Sequence, residues 1–250
     1  MTDVLALSPH LDDAVFSAGG TLARLAAAGA RVTVATVFTA TVPDPQGFAL
    51  ACQLDKGLGP EVDYMALRRA EDAAACAAVG AEPRHLPFRE APHRGYASAP
   101  ELFAGARPGD DAAAQVAPAL AALVEELRPD LLLAPQAVGA HVDHVQVVRA
   151  LDALGFDLPV LWWRDHPYAI RPGTPPEPHR ERFAGLETAA VALDADARAR
   201  RTAGALAYAS QLGFQFGGAE AARAVFDAAD PVERFAASPG AAGVLAGALG

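Results

Sequence analysis

Val4-Leu5-Ala6-Leu7-Ser8-Pro9-His10-Leu11-Asp12-Asp13 is the stretch on which the fold turns. Four apolar residues make a short strand buried on both faces, the kind found inside a parallel sheet. Directly after it the chain turns polar and places His10, Asp12 and Asp13 at the strand exit. Helical spacing follows from Ala14 to Ala28, with Val15, Ala18, Leu22, Leu25 and Ala26 on one face and Gly29 closing it. The same grammar recurs past the middle of the chain. Leu131-Leu132-Leu133-Ala134 is apolar, and His141-Val142-Asp143-His144 follows it.

Between and beyond these two points strands and helices alternate. Val32–Phe38, rich in β-branched residues, is the clearest strand. His85–Phe88, Asp130–Ala134, Pro159–Trp163 and Thr188–Leu193 are further strand segments. Helices are expected at Leu67–Val79, Ala113–Leu127, Val145–Leu154, Ala195–Ala209 and Ala219–Ala228. Thr39–Val62 and Arg89–Asp111 are expected to be long loops, punctuated by proline and glycine, and long loops are often functional. Arg171–His179 contains four prolines and is expected to be exposed and irregular; the apolar tail Gly240–Gly250 is expected to fray. The alternation predicts an α/β fold: one Rossmann-like domain over residues 1–250, with five main strands in a mostly parallel sheet covered by helices on both faces.

In such a sheet the first and fourth strands are neighbours where the winding reverses, and ligands bind outside their carboxyl ends. The two His/Asp clusters leave those two ends and are therefore expected to meet. Each of these residues alone is an ordinary helix-start or capping residue. Together they form a complementary inventory. His10 and Asp13, three apart at a helix start, can face one point, and His144 comes from the other side. Two imidazoles and a carboxylate leave open positions on a zinc ion, or on another divalent metal, as catalytic sites do. Asp12 and His141 remain beside the metal: a carboxylate suited to act as general base, and a protonated histidine suited to stabilise negative charge. Asp143 is expected to accept the His141 Nδ1–H and hold it in place.

Composition narrows the classes. Hydrophobic residues make up 52% and charged residues 20%, which places the chain among globular proteins. A net charge of −10 argues against a nucleic-acid partner. No apolar run is long enough to span a bilayer, no leader is apparent, and a cytoplasmic location is the expectation. Cys52 and Cys76 match no zinc pattern and no disulfide framework. No Gly-x-Gly-x-x-Gly follows Leu7, since Gly19-Gly20 lies inside the first helix, so a dinucleotide-dependent oxidoreductase is disfavoured. The absence of Gly-x-Ser-x-Gly disfavours a serine hydrolase of the nucleophile-elbow type.

Pro9-His10-x-Asp12-Asp13 with His141-x-Asp143-His144 resembles the LmbE/PIG-L family of zinc-dependent N-deacetylases. Further segments are similar in the same order: Leu67-Arg68-Arg69-Ala70-Glu71-Asp72, Pro167-Tyr168, Tyr208-Ala209-Ser210-Gln211 and Glu233-Arg234-Phe235. The resemblance implies zinc on His10, Asp13 and His144, with Asp12 as general base and His141 as electrostatic partner. It also implies a small N-acylated, sugar-containing substrate. Two departures stand out: Leu11 where the family has proline, and Ala14 where it has glutamate. They point to a subfamily with an altered pocket, as among deacetylases of secondary metabolism. A non-catalytic metal- or sugar-binding relative is the alternative, and retention of Asp12 and His141 argues against it. His93, Arg94 and Tyr96 in the loop after the third strand, His166 after the fifth, and Gln211 by resemblance are candidate substrate contacts. Phe48 is either an apolar contact or a loop anchor. The acyl group, the amine that carries it and a possible homo-oligomer stay open.

Overall fold

The computed structural model describes residues 1–155 and 157–250. Seven strands form one sheet: β1 Asp3–Ser8, β2 Arg31–Thr36, β3 Glu82–His85, β4 Leu131–Pro135, β5 Val160–Trp163, β6 Glu187–Ala192 and β7 Val232–Ala237. Their order is β3-β2-β1-β4-β5-β7-β6. The first five are parallel, and β7 and β6 complete the sheet antiparallel. β1 thus lies between β2 and β4, and the winding reverses there, as the strand order requires.

The helices are α1 Asp13–Ala27, α2 Gly47–Leu54, α3 Tyr64–Val79, α4 Ala99–Leu102, α5 Ala112–Leu127, α6 Val142–Leu154, α7 Arg180–Phe183, α8 Ala195–Ala207, α9 Ala209–Phe216, α10 Ala219–Ala228 and α11 Ala241–Leu249. None of them is long and apolar enough to cross a membrane. Alternation along each strand divides the core in two. Val4 and Ala6 of β1, Leu131 and Leu133 of β4, and Leu161 and Trp163 of β5 pack on one face, with α1, α3, α8 and α11. Leu5 and Leu7, Leu132 and Ala134, and Val160 and Trp162 pack on the other, with α5 and α6. Continuous apolar runs in the central strands are what a sheet buried on both faces demands.

Several expectations need correction. The segment Thr39–Val62 is not all loop, because α2 occupies two turns of it. It buries Ala49 and Gln53, four residues apart, and the flanking prolines and glycines mask its pattern. The weak strand expected at His85–Phe88 lies instead at Glu82–His85. Pro83 is tolerated there because β3 is an edge strand. α6 begins three residues before Val145, so the second His/Asp cluster is the first turn of a helix and not a loop before it. α9 was not anticipated. The tail does not fray: α11 buries Ala241, Leu245 and Ala248 at helical spacing. β7 lacks a strand signature in the sequence because Glu233 and Arg234 interrupt its alternation. Glu233 is nevertheless buried, accepting N–H groups from Gly20 and Thr21 of α1, with Arg201 3.6 Å away.

Candidate active site

Two helix N-termini converge at the carboxyl ends of β1 and β4. Asp12 is the residue that opens α1, yet its carboxylate makes no capping bond. It turns instead toward Arg68 of α3, whose Nη2 lies 3.4 Å from Asp12 Oδ1, while Arg68 Nη1 donates to Glu90 Oε1 at 2.8 Å. Asp13, the first residue of α1, accepts the backbone N–H of His10 at 2.8 Å, which folds the two side chains toward one point. His141 opens α6, and its Nδ1 accepts the N–H of Asp143 at 3.2 Å.

Asp13 Oδ2 lies 3.3 Å from His10 Nδ1 and 3.3 Å from His144 Nε2. His10, His141 and His144 also bring nitrogens within 4.8 Å of one another. The site therefore gathers the Asp13 carboxylate and the His10 and His144 imidazoles around one point, fit for a divalent cation, with His141 beside them. His144 Nε2 is fully buried and has no hydrogen-bond partner, as a nitrogen reserved for a metal would be. The opposite nitrogens are held by carboxylates: His144 Nδ1 by Asp165 Oδ1 at 2.7 Å, His10 Nε2 by Asp143 Oδ2 at 2.9 Å. Such pairing fixes the ring and makes the free nitrogen a better ligand.

This placement corrects the expected partner of Asp143. Its carboxylate does not receive His141. It binds His10, the Ala91 N–H at 3.0 Å and the Arg94 guanidinium at 2.8 Å, because the first turn of α6 points it under the ring of His10. Burial, with His10 beside it, disfavours the protonated form of His141 and pulls its pKa down to about 3. With Nδ1 accepting an N–H, the neutral ring carries its proton on Nε2.

The carboxylates are driven apart. Burial raises Asp12 to about 6 against the pull of Arg68. Burial opposes ionisation of Asp13 too, but the His144 and His10 imidazoles hold it near 2. Two adjacent carboxyls with different environments can take different roles. Tyr168 stands over this floor. Gly139, at φ +94°, leaves room for it, since a Cβ there would sit 2.5 Å from Tyr168 Cγ. The Tyr168 ring meets His144 edge to face, with centroids 5.7 Å apart.

A cavity covers the cluster, lined by Asp12, Arg68, Glu90, His141, Tyr168 and Gln211 among others. Of the five candidate substrate contacts, only Gln211 lines it, donating to Tyr64 and Ser210. Arg94 is occupied by Asp110 and Asp143, so it braces the ligand shell from behind. Tyr96 is buried and donates to Asp110. His93 lines neighbouring clefts, and His166 a separate one on the α10 side. Ala14 packs in the apolar core and does not face the cavity. Asp165, absent from the sequence-based site, sits two residues past β5 at the same carboxyl edge of the sheet as the two His/Asp clusters.

A family model described as GlcNAc-PI de-N-acetylase (PIG-L) matches residues 5–154. The chain is 38% identical over 168 residues to the 2'-N-acetylparomamine deacetylase of Streptomyces fradiae, covering 66% of the chain and 57% of that protein. It is 34% identical over 170 residues to the 1D-myo-inositol 2-acetamido-2-deoxy-alpha-D-glucopyranoside deacetylase of Nakamurella multipartita, covering 64% and 56%. The chain thus spans just over half the length of the curated relatives it matches. Among solved structures it resembles the zinc-inhibited form of a teicoplanin deacetylase, with a TM-score of 0.73, 29% identity and 88% of each chain covered.

Proposed function

The chain belongs to the PIG-L family of GlcNAc-PI de-N-acetylases, and from that membership and the geometry of its site we propose a specific hydrolysis. The enzyme cleaves an N-acyl amide, N-acetyl in the simplest case, on an amino sugar or glycoconjugate, releasing a carboxylate and a free amine. Residues 1–250 act as one catalytic domain. The observation that carries the reading is Asp12: a buried carboxylate, unused in capping, beside donors that converge on one point.

His10, Asp13 and His144 would hold the cation, with Zn2+ the best fit to two imidazoles and one carboxylate. When bound, it would polarise the amide carbonyl and lower the pKa of a water toward about 7. Asp12 accepts the proton of the attacking water as the new C–O bond forms. His141 donates its Nε2–H to the carbonyl oxygen as negative charge builds there, a role for which a neutral imidazole suffices. Protonated Asp12 then passes its proton to the nitrogen as the C–N bond breaks. Asp143 and Asp165 position His10 and His144. Arg68 keeps Asp12 ionised near neutral pH, and Glu90 and Gln211 offer hydrogen bonds to sugar hydroxyls.

The test is amine release from a panel of N-acetylated amino sugars, with and without chelator. Turnover that stops on chelation and returns with Zn2+ supports the reading. Turnover indifferent to chelator contradicts it.

A further inference from the structure

We propose that the cleft between α1, α10 and the exit of β5 is an effector site. It takes a small amphipathic anion, an apolar ring or chain bearing one carboxylate or phosphate, and its occupancy is felt in the catalytic cavity.

The cleft holds about 470 Å³, within the range of small-molecule sites, and shares only Phe16 with the catalytic cavity. No step of the proposed hydrolysis uses it. Its apolar surface comes from Phe16 of α1, Phe226 of α10 and Ile170 in the 3-10 turn Tyr168–Ile170. The Phe16 and Phe226 rings pack with centroids 5.4 Å apart. Ile170 is 47% exposed, one of five large hydrophobic side chains exposed among the described residues. Apolar side chains of this kind, open to a concave site with a few polar groups, fit the hydrocarbon part of a ligand.

The charge in the cleft runs against that of the chain. Three guanidinium groups, from Arg164, Arg201 and Arg234, meet two carboxylates, from Asp230 and Glu233, in a protein of net charge −10. Arg201 is buried, and among the described residues Glu233, 3.6 Å away, is the one carboxylate it pairs with. That carboxylate is already shared with the Gly20 and Thr21 N–H groups. Arg201 spends Nη1 and Nη2 on the Asp230 and Phe226 carbonyls, and its Nε has no partner. A buried charge so thinly compensated is costly, and an anion in the cleft offsets the cost. Arg164 and Arg234 add to this. β5 and β7 pair with Trp163 opposite Phe235, and continuing that register by one residue sets the two arginines side by side. Each is tied to a carboxylate through one nitrogen at 2.7 Å, Arg164 to Glu177 and Arg234 to Asp230, and their other guanidinium nitrogens have no partner among the described residues. Adjacent like charges are unfavourable, and a carboxylate or phosphate between them can take bidentate bonds from either fork.

The cleft lies directly behind the catalytic wall. His166 lines it and immediately precedes Pro167-Tyr168, which line the catalytic cavity. The His166 N–H donates to Ser17 Oγ at 3.0 Å, tying that segment to α1 four residues past Asp13. A ligand held against Phe16, Ser17 and His166 therefore bears on the two segments that place Tyr168 and Asp12.

The experiment titrates the zinc-loaded enzyme calorimetrically with 1-naphthylacetate and 1-naphthyl phosphate. Acetate and 2-(1-naphthyl)ethanol are the controls for the anion alone and the ring alone. At least one of the two acids should bind saturably, about tenfold or more tighter than both controls, as charge-assisted hydrogen bonds supply. The preferred acid identifies the head group. Binding should survive removal of zinc by chelator, weaken about tenfold in Arg164→Gln/Arg234→Gln and weaken measurably in Ile170→Ser. Both variants change exposed side chains and leave the core intact. At saturating acid, KM for amine release should move about fivefold or more, the low end of ordinary coupling between sites, and should stay put in the double arginine variant. No saturable binding of either acid, binding matched by a control, binding that disappears with the zinc, or binding indifferent to both variants overturns the site. Turnover that ignores the bound acid overturns its role as an effector site. The binding arms need no turnover, so they decide the site whether or not the deacetylase reading holds.

Discussion

Replacing Asp165 with alanine tests whether the cluster is built to hold a cation. Asp165 is wholly buried and touches neither the cavity nor the reacting atoms. Its carboxylate holds His144 Nδ1 at 2.7 Å and accepts the Val138 N–H at 2.8 Å. Removing it frees the imidazole to rotate and to place its proton on either nitrogen, including the Nε2 that faces Asp13. Loss of such a supporting carboxylate costs about 10–100-fold in metal affinity. Stability falls as well, since a hydrogen bond to a charged group contributes about 1.5–3 kcal/mol and the Val138 N–H is left without a partner. Asp165→Asn is the milder control. Its amide can accept from one of the two donors but not both, so its metal affinity should lie between wild type and alanine. Competition against a chromophoric chelator measures the affinity, and circular dichroism shows whether each variant is folded. A folded Asp165→Ala protein that binds zinc as tightly as wild type would refute the role assigned to this carboxylate.

Three further outcomes follow from the same geometry. Because burial raises Asp12 to about 6 and only its ionised form accepts a proton, kcat/KM should fall as pH drops through about 6. Arg68→Met, which removes the charge that pulls Asp12 down, should move that limb to higher pH; a limb that stays put would disconnect Arg68 from the base. Asp13→Ala should abolish zinc binding, whereas His141→Ala should keep it and lose about 10²–10³ in kcat; the reverse pattern would make His141 the ligand. Glu233→Ala leaves Arg201 buried beside unpaired α1 amides, and should cost about 3 kcal/mol and lower Tm by about 6–12 °C in thermal unfolding.

Much of this architecture is legible in the sequence because burial on both faces forces short, unbroken apolar runs. Val4–Leu7 and Leu131–Ala134 announce β1 and β4, and their order alone brings His10 and Asp13 to His144. Elements whose local signal is overridden by their partners were harder to read. β7 carries Glu233 and Arg234 in the middle of a strand, and only the α1 amides make Glu233 acceptable there. α11 reads as a tail because alanine and glycine give it little amphipathic contrast. Side-chain direction is the other thing spacing does not determine. Asp143 lies beside His141 in sequence, but one helical turn swings it under His10. Arg94 and Tyr96 have the composition of a substrate loop, yet their partners Asp110 and Asp143 lie in other segments and turn them inward. Asp165 reaches His144 only because β5 lies beside β4.

The most direct measurement pairs metal content with turnover in wild-type protein and Asp12→Asn. Both proteins should hold one zinc ion per chain, because Asp12 is not among the proposed ligands. Amine release from an N-acetylated amino sugar should drop by about 10²–10⁴ in the variant. A variant that binds zinc and still turns over at the wild-type rate would show that Asp12 is not the base and that the site works by another chemistry.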